Sequence, residues 1–207
     1  MGSSPRLLLS HRLDALRIAT KLLPSACLTP ISKDPFDRSF IPPAMFGIRH
    51  GPTFILLSDF TQTHRHSSDK PSLLKDYYKQ LRSDGVDRLI RLNGEYEKDW
   101  APFGYTTTAS NSYGIRTIDL FCDDGYPVPP DILRYSITAI RGSSTNKIAI
   151  HCKSGLGRTG SIVAHWYKTV HPELGVGQFL ATLRLLRHPC TIFENQENAL
   201  FPKSPKR

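Results

Sequence analysis

The sequence predicts an α/β fold with a central, mostly parallel sheet flanked by helices on both faces. From residue 45 onward, segments with the pattern of strands alternate with segments that carry the helical repeat, which is typical of parallel sheets joined by helices. In addition, the segment Lys147-Ile148-Ala149-Ile150-His151 is a short apolar strand. Strands of this kind lie in the middle of a parallel sheet, where both faces are covered.

The predicted elements follow one another in a regular order. One or two strands over 45–57, broken by Gly51-Pro52, precede a helix that opens at Asp69 and ends at Gly85. Strands over 86–92 and 114–120 come next, then a helix over 130–141 and the central strand at 147–151. Helices over 159–170 and 176–187 complete the pattern.

The first 34 residues differ from the rest and are predicted to form a basic extension. Residues 1–33 contain five lysines and arginines and one acid, Asp14, and their leucines fall near helical spacing. One interpretation is a helix that docks on the domain that follows, and the alternative is a mitochondrial presequence. We expect the main domain to span residues 35–201, followed by a short basic tail over 202–207.

The composition limits the class of protein and the kind of partner. With 207 residues, of which 39% are hydrophobic and 22% charged, the chain is long enough for a folded core and is not typical of a disordered protein. No apolar stretch approaches the ~20 residues that a membrane-spanning helix needs. The net charge of +9 favours an anionic partner, which includes phosphorylated substrates, nucleic acids and lipid headgroups.

The four cysteines indicate the redox setting. No two of them have the spacing of a C-x-x-C pair, so a zinc site is not expected. The four are Cys27, Cys122, Cys152 and Cys190. The sequence shows no secretory signal, and we therefore expect a reduced setting in the cytoplasm or nucleus, or in mitochondria if residues 1–33 are a presequence.

The most informative segment is the loop at 151–160, which leads from the central strand into a helix. Open α/β sheets bind their ligands at this place. A nucleophilic cysteine must be a thiolate, although a free cysteine has a pKa near 8.5, and Cys152 lies just before a helix N-terminus that favours an anion. Gly155 and Gly157 let successive backbone N–H groups point inward, where they can hold phosphoryl oxygens.

Two side chains complete this predicted phosphate site. Arg158 carries a planar fork of donors that matches phosphate geometry, and the hydroxyl of Thr159 can donate to the sulfur of Cys152. A buried structural cysteine would explain Cys152 but not the arginine and the glycines that follow it. Residues 155–160 also satisfy the dinucleotide pattern G-x-G-x-x-G, but no second strand-helix-strand unit follows, so dinucleotide binding is not favoured.

The segment His-Cys-x-x-Gly-x-Gly-Arg-Thr-Gly resembles the signature of the cysteine-dependent protein tyrosine and dual-specificity phosphatases. The similarity extends to Arg91-Leu92-Asn93, Asp119-Leu120-Phe121 and Asp124-Gly125, which resemble the catalytic domain of the mitotic-exit, cell-division-cycle type. It covers roughly Phe40 to Leu200. The resemblance implies a protein tyrosine phosphatase-like fold and hydrolysis of phosphate monoesters through a phosphocysteine, without a metal ion or other cofactor. Two departures are Ser154, where alanine is common, and the lack of room for the extra N-terminal domain of that type.

The resemblance also implies a role for individual residues. Cys152 is the expected nucleophile, and the expected phosphate-binding residues are Lys153, Ser154, Gly155, Leu156, Gly157 and Arg158. Because the family's general acid directly precedes a glycine, we expect this acid to be Asp124, with Asp123 as the alternative. Gln196 matches the place of a glutamine that positions the hydrolytic water in related enzymes.

The expected substrate is a phosphoprotein, with phosphoserine and phosphothreonine accepted as well as phosphotyrosine. Lys153 also occurs in relatives that resemble phosphoinositide phosphatases, but those place a second lysine where this chain has Leu156. A phosphoinositide or RNA 5′-triphosphate phosphatase and a non-catalytic phospho-binding module remain alternatives. Nucleic acid and anionic lipid are accordingly possible partners that are not favoured, and the oligomeric state is left open.

Overall fold

The computed structural model describes residues 27–30, 45–50, 52–58, 68–93, 110–172 and 192–202, together with Gly175, Gly177 and Leu180. The strands within these residues are β1 (Cys27–Pro30), β2 (Met45–His50), β3 (Thr53–Ser58), β4 (Arg88–Arg91), β5 (Arg116–Asp119) and β6 (Lys147–His151). The helices are α1 (Lys70–Ser83), α2 (Pro130–Arg141), α3 (Gly157–Val170) and α4 (Glu194–Leu200).

The strands form one sheet in the order β1-β2-β3-β6-β4-β5. Strands β3, β6, β4 and β5 run parallel, whereas β1 and β2 add an antiparallel edge next to β3. Strand β6 lies between β3 and β4, with Ile150 in register with Leu57 on one side and Ile90 on the other. The prediction of a mostly parallel sheet with 147–151 at its centre is therefore confirmed.

The two faces of the sheet are covered by different helices, because alternate residues of a strand point to opposite faces. Leu89 and Ala149 are aligned on neighbouring strands and pack with α1 through Tyr78 and Leu81. On the other face, residues such as Ile90, Ile148 and Ile150 form the larger core with α2 and α3. At ~25 cal/mol per Å² of apolar surface, this burial on both faces supplies the main stabilisation of the sheet.

Most predicted elements are found close to their predicted bounds. The structure reproduces the helix at 130–141 and the strand at 147–151, and α1 begins after Asp69, whose Oδ1 accepts from the backbone N–H of Ser72 at 3.3 Å. Gly85 follows α1 with φ of +80°, a value that favours glycine, and so ends the helix. Strands β4 and β5 are shorter than predicted, and α3 begins two residues earlier, at Gly157.

The sheet extends into the segment that was assigned to the N-terminal extension. Strand β1 pairs antiparallel with β2, with Leu28 opposite Ile48, so the chain contributes to the sheet before the predicted boundary at residue 35. The predicted amphipathic helix before residue 27 lies outside the described residues, as does most of the predicted helix at 176–187. The bounds of the domain and of the tail stay predictions. Within the described ranges, no helix is both long and apolar enough to cross a membrane.

Candidate active site

The candidate site lies at the carboxyl edge of the parallel strands, where β6 ends at His151. His151 is fully buried, and its Nδ1 lies 3.1 Å from the carbonyl oxygen of Cys152, to which it must donate because a carbonyl only accepts. Burial lowers the pKa of His151 to about 3, and the positive charges of Arg91 and Arg158 act in the same direction. The ring is therefore neutral and fixes the start of the loop.

The loop after Cys152 curls into the first turn of α3. Gly155 has φ of +65°, in the left-handed region that favours glycine, and Gly160 donates its N–H to the carbonyl of Leu156 at 2.7 Å. Cys152 is buried, while Lys153, Ser154 and Leu156 are partly exposed. The first N–H groups of a helix have no partner within the helix, so this turn offers donors to an anion, as the sequence predicts.

Arg158 is fully buried and held from two neighbouring strand ends. Its Nη1 donates to the carbonyl of Leu92, after β4, at 3.0 Å and to the carbonyl of Cys122, after β5, at 2.9 Å. These two bonds fix the plane of the guanidinium. Its Nη2 lies 3.1 Å from the Oδ1 of Asp124. The structure thus brings together the predicted phosphate-binding arginine and the predicted general acid.

The two candidate acids differ in their surroundings. Asp124 is half-exposed and forms an ion pair with Arg158, and Gly125 after it has φ of +80°. Asp123 is exposed, and its carboxylate makes no hydrogen bond or ion pair within the described part of the chain. Asp124 is thus the one of the two that contacts Arg158, and its predicted role as the general acid stays a prediction.

Gln196 is buried against the first residue of α3. Its Nε2 donates to the carbonyl of Tyr126 at 2.8 Å, and its Oε1 accepts from the backbone N–H of Phe193 at 3.1 Å. A Cβ on Gly157 would lie 2.8 Å from this Oε1, so the amide occupies the space that a side chain at 157 would take. Gln196 therefore lies beside the predicted phosphate loop (residues 152–157). Its role in placing the hydrolytic water stays a prediction.

The predicted hydrogen bond of Thr159 is not formed in this structure. Thr159 is fully buried in the first turn of α3, and its hydroxyl has no hydrogen-bond partner among the described residues, Cys152 included. A threonine in a helix divides between two χ1 rotamers, so rotation of the side chain re-aims the hydroxyl. An unpaired buried hydroxyl costs about 1–3 kcal/mol, which a thiolate or a bound phosphoryl oxygen would recover.

The structure adds contacts near the site that the sequence did not predict. Arg91 and Asp119 form a two-point ion pair, with Nε to Oδ1 at 2.5 Å and Nη2 to Oδ2 at 2.7 Å. The sequence signal that could have indicated this ion pair is the opposite charge of the two residues at the ends of two predicted strands. In addition, Asn195 donates its Nδ2 to the carbonyl of Gly125 at 2.8 Å, a contact over 70 residues that no local pattern announces.

Exposed aromatic side chains lie around this edge of the molecule. Within the described residues, Phe121 is 48% exposed, Tyr126 66% and Phe193 44%. Phe121 and Tyr126 flank the loop that carries Asp124, and a ring carbon of Phe193 lies 3.3 Å from the position of a Cβ on Gly157. In the same part of the chain, no group of three or more His, Cys, Asp or Glu side chains lies close enough to hold a metal ion.

A known family matches the part of the chain that contains the loop of Cys152 and α3. The sequence model of the family described as "Tc-R-P: Polymorphic toxin system, DSP-PTPase phosphatase" matches residues 66–171, a little more than half of the chain. The chain belongs to this family, and the family predicted from the sequence is confirmed.

Curated relatives include phosphatases of the cell-division-cycle type. The chain is 28% identical over 127 residues to tyrosine-protein phosphatase cdc-14 of Caenorhabditis elegans, a match that covers 61% of this chain and 16% of that protein. It is 30% identical over 127 residues to dual specificity protein phosphatase CDC14AB of Danio rerio, covering 61% and 19%. The chain thus spans less than a fifth of the length of these two relatives.

Solved structures share the fold. PTPMT1 in complex with PI(5)P has a TM-score of 0.55 at 18% identity, covering 70% of this chain and 86% of that one. Kinase associated phosphatase, with its catalytic cysteine replaced by serine, has a TM-score of 0.54 at 21% identity, covering 60% and 71%. At these identities the likeness shows the fold, and the predicted protein tyrosine phosphatase-like fold is confirmed.

Proposed function

We propose that the chain is a phosphoprotein phosphatase of dual specificity that acts through a phosphocysteine intermediate. The observation that carries this proposal is the ion pair between buried Arg158 and half-exposed Asp124, beside the loop of Cys152. A candidate anion-binding group and a candidate proton donor then meet beside the loop that carries the cysteine, which is what this chemistry requires.

The proposed reaction has two steps. The Sγ thiolate of Cys152 attacks phosphorus, the bond from phosphorus to the substrate oxygen breaks, and Asp124 gives its proton to that oxygen. Water then attacks the phosphocysteine, the carboxylate of Asp124 takes a proton from it, and the P–S bond breaks to release phosphate and the thiolate. Gln196, which lies beside the same loop, is the proposed residue for placing this water.

The Nη2 of Arg158, which contacts Asp124 in this structure, is proposed to bind the phosphoryl group. The two carbonyls on Nη1 keep the guanidinium in place, so its Nη2 remains directed at the site. A phosphate dianion would compete with Asp124 for Nη2 and would leave the acid adjacent to the substrate oxygen. The N–H groups of residues 153–158 would hold the other phosphoryl oxygens, and the hydroxyl of Thr159 would donate to the thiolate.

A protein substrate is favoured by the exposed aromatic side chains. Phe121, Tyr126 and Phe193 offer apolar surface for a peptide beside the site. A multiply phosphorylated headgroup would instead call for several cations, and Lys153 is the one lysine in the loop at 152–157. The relatives named dual specificity protein phosphatases support the same proposal.

A substrate panel tests the proposal. Purified protein is given peptides with phosphoserine, phosphothreonine or phosphotyrosine, vesicles that contain PI(5)P, and RNA with a 5′-triphosphate, all in the presence of a chelator. We expect turnover of the peptides that disappears in Cys152→Ser. Preferred turnover of lipid or RNA would overturn the protein substrate, and tight binding of peptide without any turnover would indicate a phospho-binding module.

The location of the protein is a separate proposal, for the cytoplasm or the nucleus. Residues 1–33 fused to a fluorescent reporter are expected to leave the reporter diffuse. Accumulation in mitochondria would establish the alternative, in which this segment is a presequence.

A further inference from the structure

Two neighbouring side chains of α4 hold the loop of the proposed general acid. The Nδ2 of Asn195 donates to the carbonyl of Gly125, and the Nε2 of Gln196 donates to the carbonyl of Tyr126, each at 2.8 Å. Gly125 and Tyr126 directly follow Asp124. Consecutive carbonyls of the acid loop are therefore bound by consecutive amides from a helix 70 residues later.

Both amides are also fixed at their other ends. The Oε1 of Gln196 accepts from the N–H of Phe193, and the Oδ1 of Asn195 accepts from the N–H of Gln196 at 2.9 Å. The amide of Gln196 is buried against Gly157, at the end of the phosphate loop. Side chains bonded at both ends have little rotational freedom, so α4 forms a bridge between the phosphate loop and the acid loop.

The acid loop has few other supports. Residues 120–129 have no helix or strand, and Asp123, Asp124 and Tyr126 are exposed. Within the described residues, Cys122 and Val128 are its buried members, and Arg158 of α3 contacts the loop at the carbonyl of Cys122 and at the carboxylate of Asp124. A bound phosphate would compete for the contact with Asp124. The bond to Cys122 would then hold the loop before Asp124, and the bonds from α4 would hold it after Asp124.

We propose that Asn195 and Gln196 are positioning residues that keep Asp124 at the leaving oxygen while phosphate occupies Arg158. This inference rests on the proposed function. A displaced general acid slows the expulsion of a poor leaving group, such as the alkoxide of serine, far more than that of a good one, such as p-nitrophenolate. A general loss of structure would slow both alike.

The test compares Asn195→Asp with Asn198→Ala. Asn195→Asp keeps an oxygen for the N–H of Gln196 and removes the donor to Gly125, whereas Asn198 is an exposed residue of the same helix that makes no described contact with the acid loop. We expect Asn195→Asp to lower kcat/KM, which reports the step that expels the leaving group, by about ten-fold or more for phosphoserine peptide and by about two-fold for p-nitrophenyl phosphate. Asn198→Ala is expected to change neither.

A double variant and hydrogen exchange make the result decisive. Added to Asp124→Asn, Asn195→Asp is expected to cost no further activity, because the group that it positions is gone. Amide exchange in residues 121–128 is expected to rise in Asn195→Asp and to stay unchanged in Asn198→Ala. Equal losses of kcat/KM on both substrates, additive losses in the double variant or unchanged exchange would each overturn the positioning role. If the wild-type protein hydrolyses neither substrate, the proposed function itself fails.

Discussion

The Nη2 of Arg158 lies 3.1 Å from the Oδ1 of Asp124, although one residue is fully buried in α3 and the other is half-exposed on a loop. Two backbone carbonyls hold the buried partner, so the position of the ion pair is set by Arg158 rather than by Asp124. In the proposed mechanism a phosphate replaces Asp124 as the partner of Nη2, and the bonds from α4 to Gly125 and Tyr126 hold the loop of Asp124. In the proposed mechanism one arginine therefore serves both substrate binding and alignment of the acid.

The first prediction concerns the fork of donors on Arg158. Arg158→Lys keeps the charge but loses the two-point donor geometry, both toward the carbonyls of Leu92 and Cys122 and toward phosphate. We expect kcat/KM to fall by about 100-fold or more and thermal stability to fall as well. Arg134→Lys, an exposed residue of α2, is the control and should leave both quantities unchanged. Activity within a few-fold of wild type would contradict the role of Arg158.

The second prediction separates the two neighbouring acids. Asp124→Asn removes the proton donor and is expected to lower turnover of phosphoserine peptide by about 10²–10⁴-fold. Asp123→Asn is expected to stay within about two-fold of wild type, because the carboxylate of Asp123 has no partner within the described residues. Steady-state kinetics of the two variants checks this directly, and a larger loss in Asp123→Asn would reverse the assignment.

The third prediction concerns the space beside Gly157. A Cβ at this position would lie 2.8 Å from the Oε1 and 3.2 Å from the Nε2 of Gln196, both closer than such contacts normally come. Gly157→Ala should therefore displace the amide, break its bond to Tyr126, and destabilise the fold by roughly 1–3 kcal/mol. Gly175→Ala is the matched control, since no described residue lies within 4 Å of its added Cβ. Denaturant unfolding of both proteins gives the comparison, and equal midpoints would show that Gln196 is not confined there.

The fourth prediction follows from the buried ring of His151. Its pKa is lowered to about 3 in the folded protein by burial, against about 6.5 for an exposed histidine. Between these two pH values the unfolded chain binds the proton and the folded chain does not. The free energy of unfolding is therefore at its full value above pH 6.5 and decreases as the pH falls toward 3. At about 1.4 kcal/mol per pKa unit, the loss amounts to several kcal/mol.

The pH dependence can be assigned to His151 by substitution. His151→Asn is expected to be less stable than wild type at pH 7, and to lose less stability between pH 6.5 and pH 4. Unfolding free energies measured across this range test the assignment. Parallel curves for the two proteins would mean that another group causes the acid loss.

Features set by local pattern were predictable from the sequence. Helix α2 has proline at its first position and glycine just past its end, and β6 is a short apolar run with polar neighbours, so the predicted bounds of both agree with the structure. The curl at Gly155 follows from the spacing of glycines before a helix. Arg158 is predicted from its donors after the glycines of the loop, and Asp124 from the resemblance. The sheet topology explains how the two side chains meet.

Features set by packing were not predictable from the sequence. The bond from Asn195 to Gly125 depends on where α4 docks, and nothing in the local sequence encodes a contact over 70 residues. The membership of β1 in the sheet was missed because four residues at an edge carry too little periodic signal beside a basic segment. The hydroxyl of Thr159 makes no hydrogen bond to the described residues. Whether it reaches Cys152 depends on the rotamer of one side chain, which residue type alone does not fix.

The central claim is that the Sγ of Cys152 attacks phosphorus, and hydrolysis of p-nitrophenyl phosphate under reducing conditions with a chelator tests it most directly. The measurement compares wild type with Cys152→Ser and with Cys27→Ser, whose cysteine lies in β1 at the far edge of the sheet. We predict chelator-resistant activity in wild type and Cys27→Ser and none in Cys152→Ser. Activity that survives in Cys152→Ser, or that requires a metal ion, would contradict the account.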